Sequence, residues 1–255
     1  MLKRKAIIHT PEEIARIRIA ARTTAIARDQ IAASVQEGMT TGELNMIAGA
    51  VIRSLGGKPA FLGYGGFPAN ICISLNDVVV HGIASDKQVI KKGDIVSVDV
   101  GVAIEGAVGD TATSVYVGGE PEGDIKRLLD GTRLSLEAGI AAAKNGGTVY
   151  DISAAVEKVG IAHKLGIVRD YVGHGCGIRL HEPPDVPNFT TIHSKQVKLV
   201  PGMVLCIEPM FNLGTHRVFV ESDDWTVRTA DGKKSAHFEH MILIGEDQTE
   251  VLTSV

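Results

Sequence analysis

The amino-acid sequence predicts an α+β protein with largely antiparallel strands. Two helices followed by several strands occur in this order twice, which predicts two related halves, about 1–120 and 121–255. No Pro- or Ser-rich linker separates the halves, so we expect a single domain, 1–255, in which both halves share one site. A chain of 255 residues is long enough to bury a full core.

Helix signals come first in each half. Thr10 is a capping residue, Pro11 suits the first helical position, and Glu12–Glu13 place acidic groups in the first turn. Apolar residues at helical spacing follow these signals. Similar patterns predict three further helices: one that begins after Thr41 and ends at Gly56–Gly57, one over about 121–144 and one over about 151–164.

Runs of apolar, β-branched residues predict the strands. They cover about 71–75, 94–102, 110–117, 167–172, 202–208, 217–221, 225–228 and 236–244. In the 94–102 strand a period of two places the valines on one face, which we expect to pack under helices, and Ser97, Asp99 and Gly101 on the other. Glu105–Gly106 is a turn signal, and a hairpin centred near 104–105 sets Asp99 opposite Asp110.

The composition argues against several classes of protein. A net charge of −4 gives no sign of a nucleic-acid surface, because the only basic cluster is Lys3–Lys5. No stretch reaches the roughly 20 apolar residues of a membrane span. The three cysteines, Cys72, Cys176 and Cys206, are far apart and odd in number, which argues against disulfides and against a zinc finger. We therefore expect a reduced, cytoplasmic protein.

Five ionisable residues interrupt apolar surroundings or follow them directly. They are Asp99, Asp110, His174, Glu208 and Glu239. A carboxylate removed from water is costly unless cations or hydrogen bonds compensate it. Two carboxylates opposite each other would also repel, and a cation between them removes the conflict. The pattern predicts a metal site, with a turn or cap role for Asp110 and a shared carboxyl proton as the alternatives.

Glycines surround the histidine of this set. In Gly173-His174-Gly175 they let the backbone approach a site closely and leave the imidazole unobstructed. His181 follows seven residues later and precedes Glu182–Pro184, for which we expect a rigid turn. The segment lacks GxGxxG spacing, and the chain contains no GxSxG, GxxxxGK[ST] or HExxH motif. These observations leave the metal site as the main prediction.

The five residues, in their order, resemble the two-metal site of methionine aminopeptidases and their relatives with the pita-bread fold. Their surroundings match as well: GDIVSVDVGV, GDTATSVYV, YVGHGCGIRLHEPP, PGMVLCIEP and SAHFEHMILI. The resemblance extends over essentially the whole chain. Glu208 and Glu239 are 31 residues apart, which leaves no room for the helical insertion of type 2 members. The chain is therefore similar to the minimal, bacterial type 1 members.

This resemblance implies a metalloaminopeptidase that removes the initiator methionine when the second residue is small. By the same resemblance Asp99 holds one metal, His174 and Glu208 hold the other, and Asp110 and Glu239 bridge the two. Four carboxylates with one neutral imidazole sum to −4, which two divalent cations neutralise. Oxygen ligands with one nitrogen suit Co, Mn, Fe(II), Ni or Zn.

The resemblance also assigns roles around the metals. It places His81 near the leaving peptide nitrogen and His181 near the scissile carbonyl, and it gives Glu208 a proton-transfer role. The pocket for the first side chain is expected to involve Tyr64, Phe67, Cys72, His81, Leu180, His181 and Trp225. An ordinary core position is the alternative for Cys72. Four residues depart from the family pattern, which concerns pocket shape and metal tuning: Gly65, Leu180, Phe189 and His237.

Peptide and nascent-chain N termini are the partners that the resemblance implies, with ribosome association implied by the family alone. We expect a monomer, and no nucleic-acid or membrane partner. An Xaa-Pro aminopeptidase or dipeptidase is an alternative, against which the small size and the missing N-terminal domain argue. A non-catalytic binding module and a structural metal protein are further alternatives. The five retained ligands and the two flanking histidines, His81 and His181, argue against both.

Overall fold

The computed structural model describes residues 6–255, so the basic cluster Lys3–Lys5 lies outside the described residues. The first half contains two helices and five strands. They are α1 (Pro11–Ala33), α2 (Thr41–Ser54), β1 (Lys58–Pro59), β2 (Cys72–Leu75), β3 (Val78–Val80), β4 (Ile95–Ile104) and β5 (Ala107–Tyr116). A short 3₁₀ turn, Tyr64–Gly66, lies between β1 and β2.

The second half begins again with two helices and continues with short strands. They are α3 (Gly123–Ala142), α4 (Val149–Ala162), β6 (Gly166–Ile167), β7 (Gly173–Gly175), β8 (Glu182–Val186), β9 (Val204–Ile207), β10 (Met210–Asn212), β11 (Val218–Val220), β12 (Val227–Thr229), β13 (Ser235–His237), β14 (His240–Ile244) and β15 (Thr249–Val251). All pairings between these strands are antiparallel. The α+β class and the order of elements are therefore confirmed.

The helix starts agree closely with the sequence patterns. Thr10 and Glu13 form a capping box, in which each side chain accepts a hydrogen bond from the other residue's backbone N–H, and Pro11 is the first helical residue. Helix α2 has the same arrangement with Thr40 and Glu43, one residue before the predicted start. Satisfied N–H groups at these ends explain why both helices begin where they do.

The β4–β5 hairpin turns at Glu105–Gly106, as predicted, but its register differs from the expected one. Both turn residues have positive φ, 52° and 73°, which matches a two-residue hairpin turn. Asp99 therefore pairs with Ala112, and Asp110 pairs with Gly101. The prediction that Asp99 lies directly opposite Asp110 is wrong, because the hairpin centre lies further along the chain. The two aspartates are diagonal neighbours on one face.

Three other strand predictions need correction. The 236–244 run is two strands, β13 and β14, because the chain leaves the ladder at Phe238–Glu239. Of the predicted 167–172 strand only Ile167 belongs to β6, and Glu182–Pro184, predicted as a turn, belongs to strand β8. Strands β3, β7 and β10 have three residues each, too short for a period of two to reveal them.

Two apolar cores flank the centre of the molecule. The valine face of β4 is fully buried against α1 and α2, where it meets residues such as Ile31, Leu44 and Ile52. The second core lies under α3 and α4 and includes Leu128, Ile152 and, from β9, Leu205 and Ile207. Polar faces of the strands are left between the two cores. Among the described residues no helix is long and apolar enough to cross a membrane.

Candidate metal centre

The β4–β5 hairpin supplies two carboxylates on the face away from the valines. Asp99 lies between Cys72 of β2 and Ala112 of β5 in the sheet. The partner of Asp110 across the hairpin is Gly101, whose missing side chain leaves room that the Phe61 ring occupies, 2.4 Å from where a Cβ would be. Each aspartate has a buried Oδ1 with no hydrogen-bond partner among the described residues. Both side chains therefore face a buried space as acceptors without donors.

Strand β7 supplies the imidazole. A Cβ on Gly173 would lie 2.3 Å from the Cys206 carbonyl oxygen, and one on Gly175 would lie 2.7 Å from that of Pro183, so only glycine fits on either side of His174. His174 Nδ1 lies 2.9 Å from the Gly175 carbonyl oxygen, which can only accept. That hydrogen bond fixes the proton on Nδ1 and leaves the Nε2 lone pair free for a metal.

The remaining two carboxylates lie where strands end or break. Glu208 follows the last residue of β9, and its Oε1 lies 3.2 Å from His174 Nε2. Glu239 lies in the break between β13 and β14, where its backbone N–H donates to Ala112 O at 2.9 Å. The Thr111 hydroxyl donates to the Glu239 carbonyl at 2.7 Å. Backbone contacts with β5 therefore set Glu239 beside the hairpin aspartates.

Like charges dominate the electrostatics of this cluster. Burial, and next the charge of Glu208, raise the pKa of Asp99 to about 8. Burial and neighbouring carboxylates also raise the pKa values of Asp110 and Glu239 well above their usual range. Burial alone would lower the pKa of His174, but the hydrogen bond and the charge of Glu208 outweigh it and raise the pKa to about 10. Without a cation the cluster must retain protons.

The donor set fits divalent metal ions. Three of its buried oxygens, Oδ1 of Asp99 and Asp110 and Oε1 of Glu239, lack a hydrogen-bond partner among the described residues. Such orphaned acceptors are costly in a protein interior unless a cation binds them. The 3.2 Å between His174 Nε2 and Glu208 Oε1 is a separation expected of two atoms that bind one ion at about 2.1 Å each. The chain therefore provides a site for divalent metal.

Cys206 is a member of the site that sequence reasoning missed. Its sulfur lies within 4.8 Å of ligand atoms of Asp110, His174 and Glu239. Burial and a hydrogen bond with Cys176 raise the pKa of the Cys206 thiol well above its usual range, so it is a thiol and not a thiolate. Alternation along β9 could have revealed it, because Cys206 and Glu208 share a face.

Two further histidines lie beside the ligands. The His181 ring is 4.2 Å from the His174 ring, between centroids, and its Nδ1 lies 2.8 Å from the Tyr64 hydroxyl. His81 follows β3 with a positive φ of 58° and packs edge-on against Tyr171 and Trp225. Burial lowers the pKa values of both His81 and His181 to about 4, and for His181 the charges of His174 and His81 add to the effect. Both rings are therefore neutral at pH 7.

One cavity of about 1650 Å³ joins the acidic cluster to an apolar pocket. All the residues that sequence reasoning placed in the pocket line this cavity: Tyr64, Phe67, Cys72, His81, Leu180, His181 and Trp225. Phe61, Tyr171 and Met210 also line it and were missed, because nothing in their local sequence distinguishes them from other core or loop residues. The Cys72 side chain is both a core residue and part of the cavity wall, so the two interpretations of it are compatible.

The residues that depart from the family pattern differ in how near they lie to the pocket. Gly65 has a φ of 57°, and a Cβ there would lie 3.2 Å from the Trp225 ring. Leu180 packs with Phe67 and Cys72 in the pocket wall. Phe189, by contrast, is not among the described residues that line the cavity, and Arg169 lies over its ring. Gly65 and Leu180 can therefore affect pocket shape directly, whereas Phe189 cannot.

The fold and the donor set together define a metal-dependent enzyme in which antiparallel strands from two halves enclose a carboxylate-rich centre. The family model described as metallopeptidase family M24 matches residues 15–246. The chain belongs to this family.

Relatives of known name resemble it over almost its full length. Methionine aminopeptidase 1 of Bacillus subtilis is 42% identical over 249 residues, which cover 98% of this chain and 99% of that one. The methionine aminopeptidase of Treponema pallidum is also 42% identical, over 96% of this chain and 95% of that one. These similarities bear out the family resemblance that the motifs indicated.

Solved structures resemble the fold. A methionine aminopeptidase from Thermotoga maritima superposes with a TM-score of 0.94 at 40% identity, over 98% of this chain and all of that chain. A prolidase from Pyrococcus furiosus superposes with a TM-score of 0.78 at 23% identity, covering 98% of this chain and 66% of that one, which shows a shared fold alone. The pita-bread fold is thereby confirmed.

Proposed function

We propose that the chain is a methionyl aminopeptidase that removes the N-terminal methionine from nascent proteins and peptides whose second residue is small. One observation carries the proposal: the metal-binding donor set lies at one end of a cavity whose other walls are apolar. The relatives named methionine aminopeptidase, at about 40% identity over nearly the whole chain, support it. The cavity and the named relatives therefore both support activity toward an N-terminal methionine.

The residues present would hold two divalent ions. In this proposal Asp99 would hold one ion, His174 and Glu208 would hold the other, and Asp110 and Glu239 would contribute to both. The charges support two ions, because four carboxylates need two divalent cations to become neutral. When bound, such ions lower the pKa of water toward roughly 7 and stabilise negative charge on oxygen. Co, Mn, Fe(II), Ni and Zn all suit the set of oxygen and nitrogen donors.

The chain's own side chains would orient and protonate the substrate. The Tyr64 hydroxyl, 2.8 Å from His181 Nδ1, would donate a hydrogen bond to it, so that the Nε2–H of His181 would be free to donate to the scissile carbonyl oxygen. His81, which lines the same cavity, would contact the leaving peptide nitrogen. Glu208 would carry the proton to that nitrogen, because it lies within the cluster beside His174. A free α-amine on the substrate completes the binding, which limits cleavage to the first residue.

The pocket suits an unbranched apolar side chain. Phe67, Cys72 and Leu180 are nearly fully buried, and Trp225 packs edge-on against Phe67 at 5.2 Å between ring centroids. A thioether side chain makes favourable contacts with aromatic edges and with soft sulfur surfaces.

The domain 1–255 would act on N termini as a monomer in the cytoplasm, near the ribosome. Three unpaired, buried cysteines are consistent with a reducing compartment.

A peptide panel tests the proposal. The metal-loaded protein should release free methionine from Met-Ala-Ser, and it should cleave N-acetyl-Met-Ala-Ser and Ala-Pro little. Blocking the amine removes a contact with the metal, and the closed pocket holds methionine better than alanine. If no methionine is released with Mn, Fe(II), Co, Ni or Zn, the aminopeptidase function is wrong. Cleavage of Ala-Pro at a comparable rate would favour an Xaa-Pro specificity instead.

A further inference from the structure

A third imidazole lies beside the candidate metal centre, and one of its nitrogens has no hydrogen-bond partner among the described residues. His237 ends strand β13 and is 2% exposed. Its backbone N–H donates to Ser114 Oγ at 3.0 Å, and the Ser114 hydroxyl donates to the His237 carbonyl oxygen at 2.8 Å. The ring lines the same cavity as the ligands. Its position is therefore fixed by the β5 hairpin strand and directed inward.

The polar end of this ring meets one specific atom. His237 Nε2 is buried and has no hydrogen-bond partner among the described residues. The charged group that lies within 4 Å of it is Glu208, whose Oε2 is 3.9 Å away. The other oxygen of the same carboxylate, Oε1, faces His174 Nε2 at 3.2 Å. Glu208 thus lies between two imidazoles, with one oxygen toward each.

The two imidazoles cannot have the same task. His174 Nδ1 is occupied by the Gly175 carbonyl, so its Nε2 is a lone-pair donor suited to a metal. A lone pair on His237 Nε2 would point at a carboxylate oxygen and repel it, whereas an N–H there would attract it. The surroundings therefore favour the tautomer of His237 that has its hydrogen on Nε2.

We propose that His237 is a positioning residue of the metal centre, whose Nε2–H donates to Oε2 of Glu208 and thereby directs Oε1 to the metal held with His174. A small rotation of either side chain converts 3.9 Å into a hydrogen bond. The inference rests on the proposed metal site and adds a residue to it. Partners of this kind fix the orientation of a ligand and commonly change metal affinity ten- to a hundredfold.

Metal affinity measured without peptide tests the role. His237→Gln retains an N–H donor, His237→Leu removes it at similar volume, and His240→Gln is the matched control. His240 lies three residues further along and bonds to the Thr253 hydroxyl instead of lining the cavity. In calorimetric titration with Zn(II), His237→Leu should bind roughly ten- to a hundredfold more weakly, while the two glutamine variants stay within about threefold of the wild type. Equal weakening in His237→Gln and His237→Leu would overturn the proposal, as would wild-type affinity in His237→Leu.

The wild-type protein provides a readout that needs no variant to fold. With ¹⁵N-labelled histidine and bound ¹¹³Cd(II), NMR should show a one-bond cadmium coupling at His174 Nε2, and His237 Nε2 should retain its proton. A cadmium coupling at His237 would make it a ligand and overturn the positioning role. Because neither measurement uses a peptide, a failure of methionine release would leave these results intact and would count against the proposed function alone.

Discussion

The two halves of the molecule contribute to the site in different ways. The first half uses one regular element, the ten-residue strands β4 and β5, which carry Asp99 and Asp110 on a single face. The second half uses a strand of three residues for His174, the end of another for Glu208 and a break between two for Glu239. A regular hairpin fixes two ligands by alternation, whereas irregular segments need tertiary contacts to place theirs.

Those tertiary contacts explain how the irregular half becomes precise. Glu239 is held by the backbone of Ala112 and by the Thr111 hydroxyl, so its location is set by the hairpin. His174 is held by close backbone packing on both of its glycine neighbours. The β4–β5 hairpin therefore positions residues of the second half through backbone and hydroxyl contacts.

If both halves are needed to bind the metals, removing one proposed ligand from either half should cause the largest loss of activity. Asp110→Asn and Glu239→Gln should each reduce methionine release by on the order of a thousandfold, since both are proposed to bridge the metals. Steady-state hydrolysis of Met-Ala-Ser with bound-metal analysis measures both. A variant that keeps a tenth of the activity and its metal would show that its half does not complete the centre.

A smaller loss is expected from the histidine of the second half that does not bind metal. His181→Ala removes the proposed donor to the scissile carbonyl, and kcat should fall by roughly two to three orders of magnitude. Metal content should not change, because His181 is outside the proposed ligand set. A lowered metal content, with kcat restored at high metal concentration, would instead make His181 a ligand.

Glycines test the packing of the two halves. A Cβ on Gly109 would lie 2.6 Å from the Ala20 carbonyl oxygen, and one on Gly173 would lie 2.3 Å from that of Cys206. Because the opposing atoms are backbone, neither site can relax easily, and alanine should cost about 1–3 kcal/mol at each. Gly232→Ala is the control for backbone strain without a clash, because Gly232 has a φ of 69° and open space around it. Thermal unfolding measures all three, and unchanged midpoints for both buried variants would contradict the close packing.

Protons compete with metal ions for the same side chains. Each proton that a metal ion displaces changes the metal affinity by up to about tenfold per pH unit. Asp99 with a pKa of about 8 and His174 with a pKa of about 10 retain protons at pH 7 in the metal-free protein. Metal affinity should therefore rise with pH from 6.5 to 8. Both pKa values lie above the ordinary ones, so the stability of the metal-free protein should fall between pH 7 and 9. Calorimetry in buffers of different ionisation enthalpy measures the released protons, and an affinity independent of pH would contradict the assignment.

The smallest effect is expected at Tyr64, which acts only through His181. Tyr64→Phe removes the hydroxyl that lies 2.8 Å from His181 Nδ1, and kcat should fall by about three- to tenfold, in line with one neutral hydrogen bond. KM for Met-Ala-Ser should change less than kcat. If the double variant Tyr64→Phe/His181→Ala lost the full product of the two single effects, the residues would act independently and the proposed coupling would be wrong.

The regular half was also the more predictable from sequence. Alternation in 94–102 placed Asp99 correctly on the polar face, and Glu105–Gly106 marked the turn, but the register was two residues out because turn geometry decides it. In the second half, the ionisable residues within or after apolar runs indicated the proposed ligands, while the break at Phe238–Glu239 and strand β8 were missed. These short segments owe their conformation to neighbours distant in sequence, which no local pattern records.

The central claim is that two metal ions are bound together by ligands from both halves. A crystal of the Mn(II)-loaded protein, measured at the manganese absorption edge, tests it most directly. The account predicts two anomalous peaks, roughly 3.5–4 Å apart, with Asp110 and Glu239 contacting both. A single peak, or two peaks that contact residues from only one half, would contradict it.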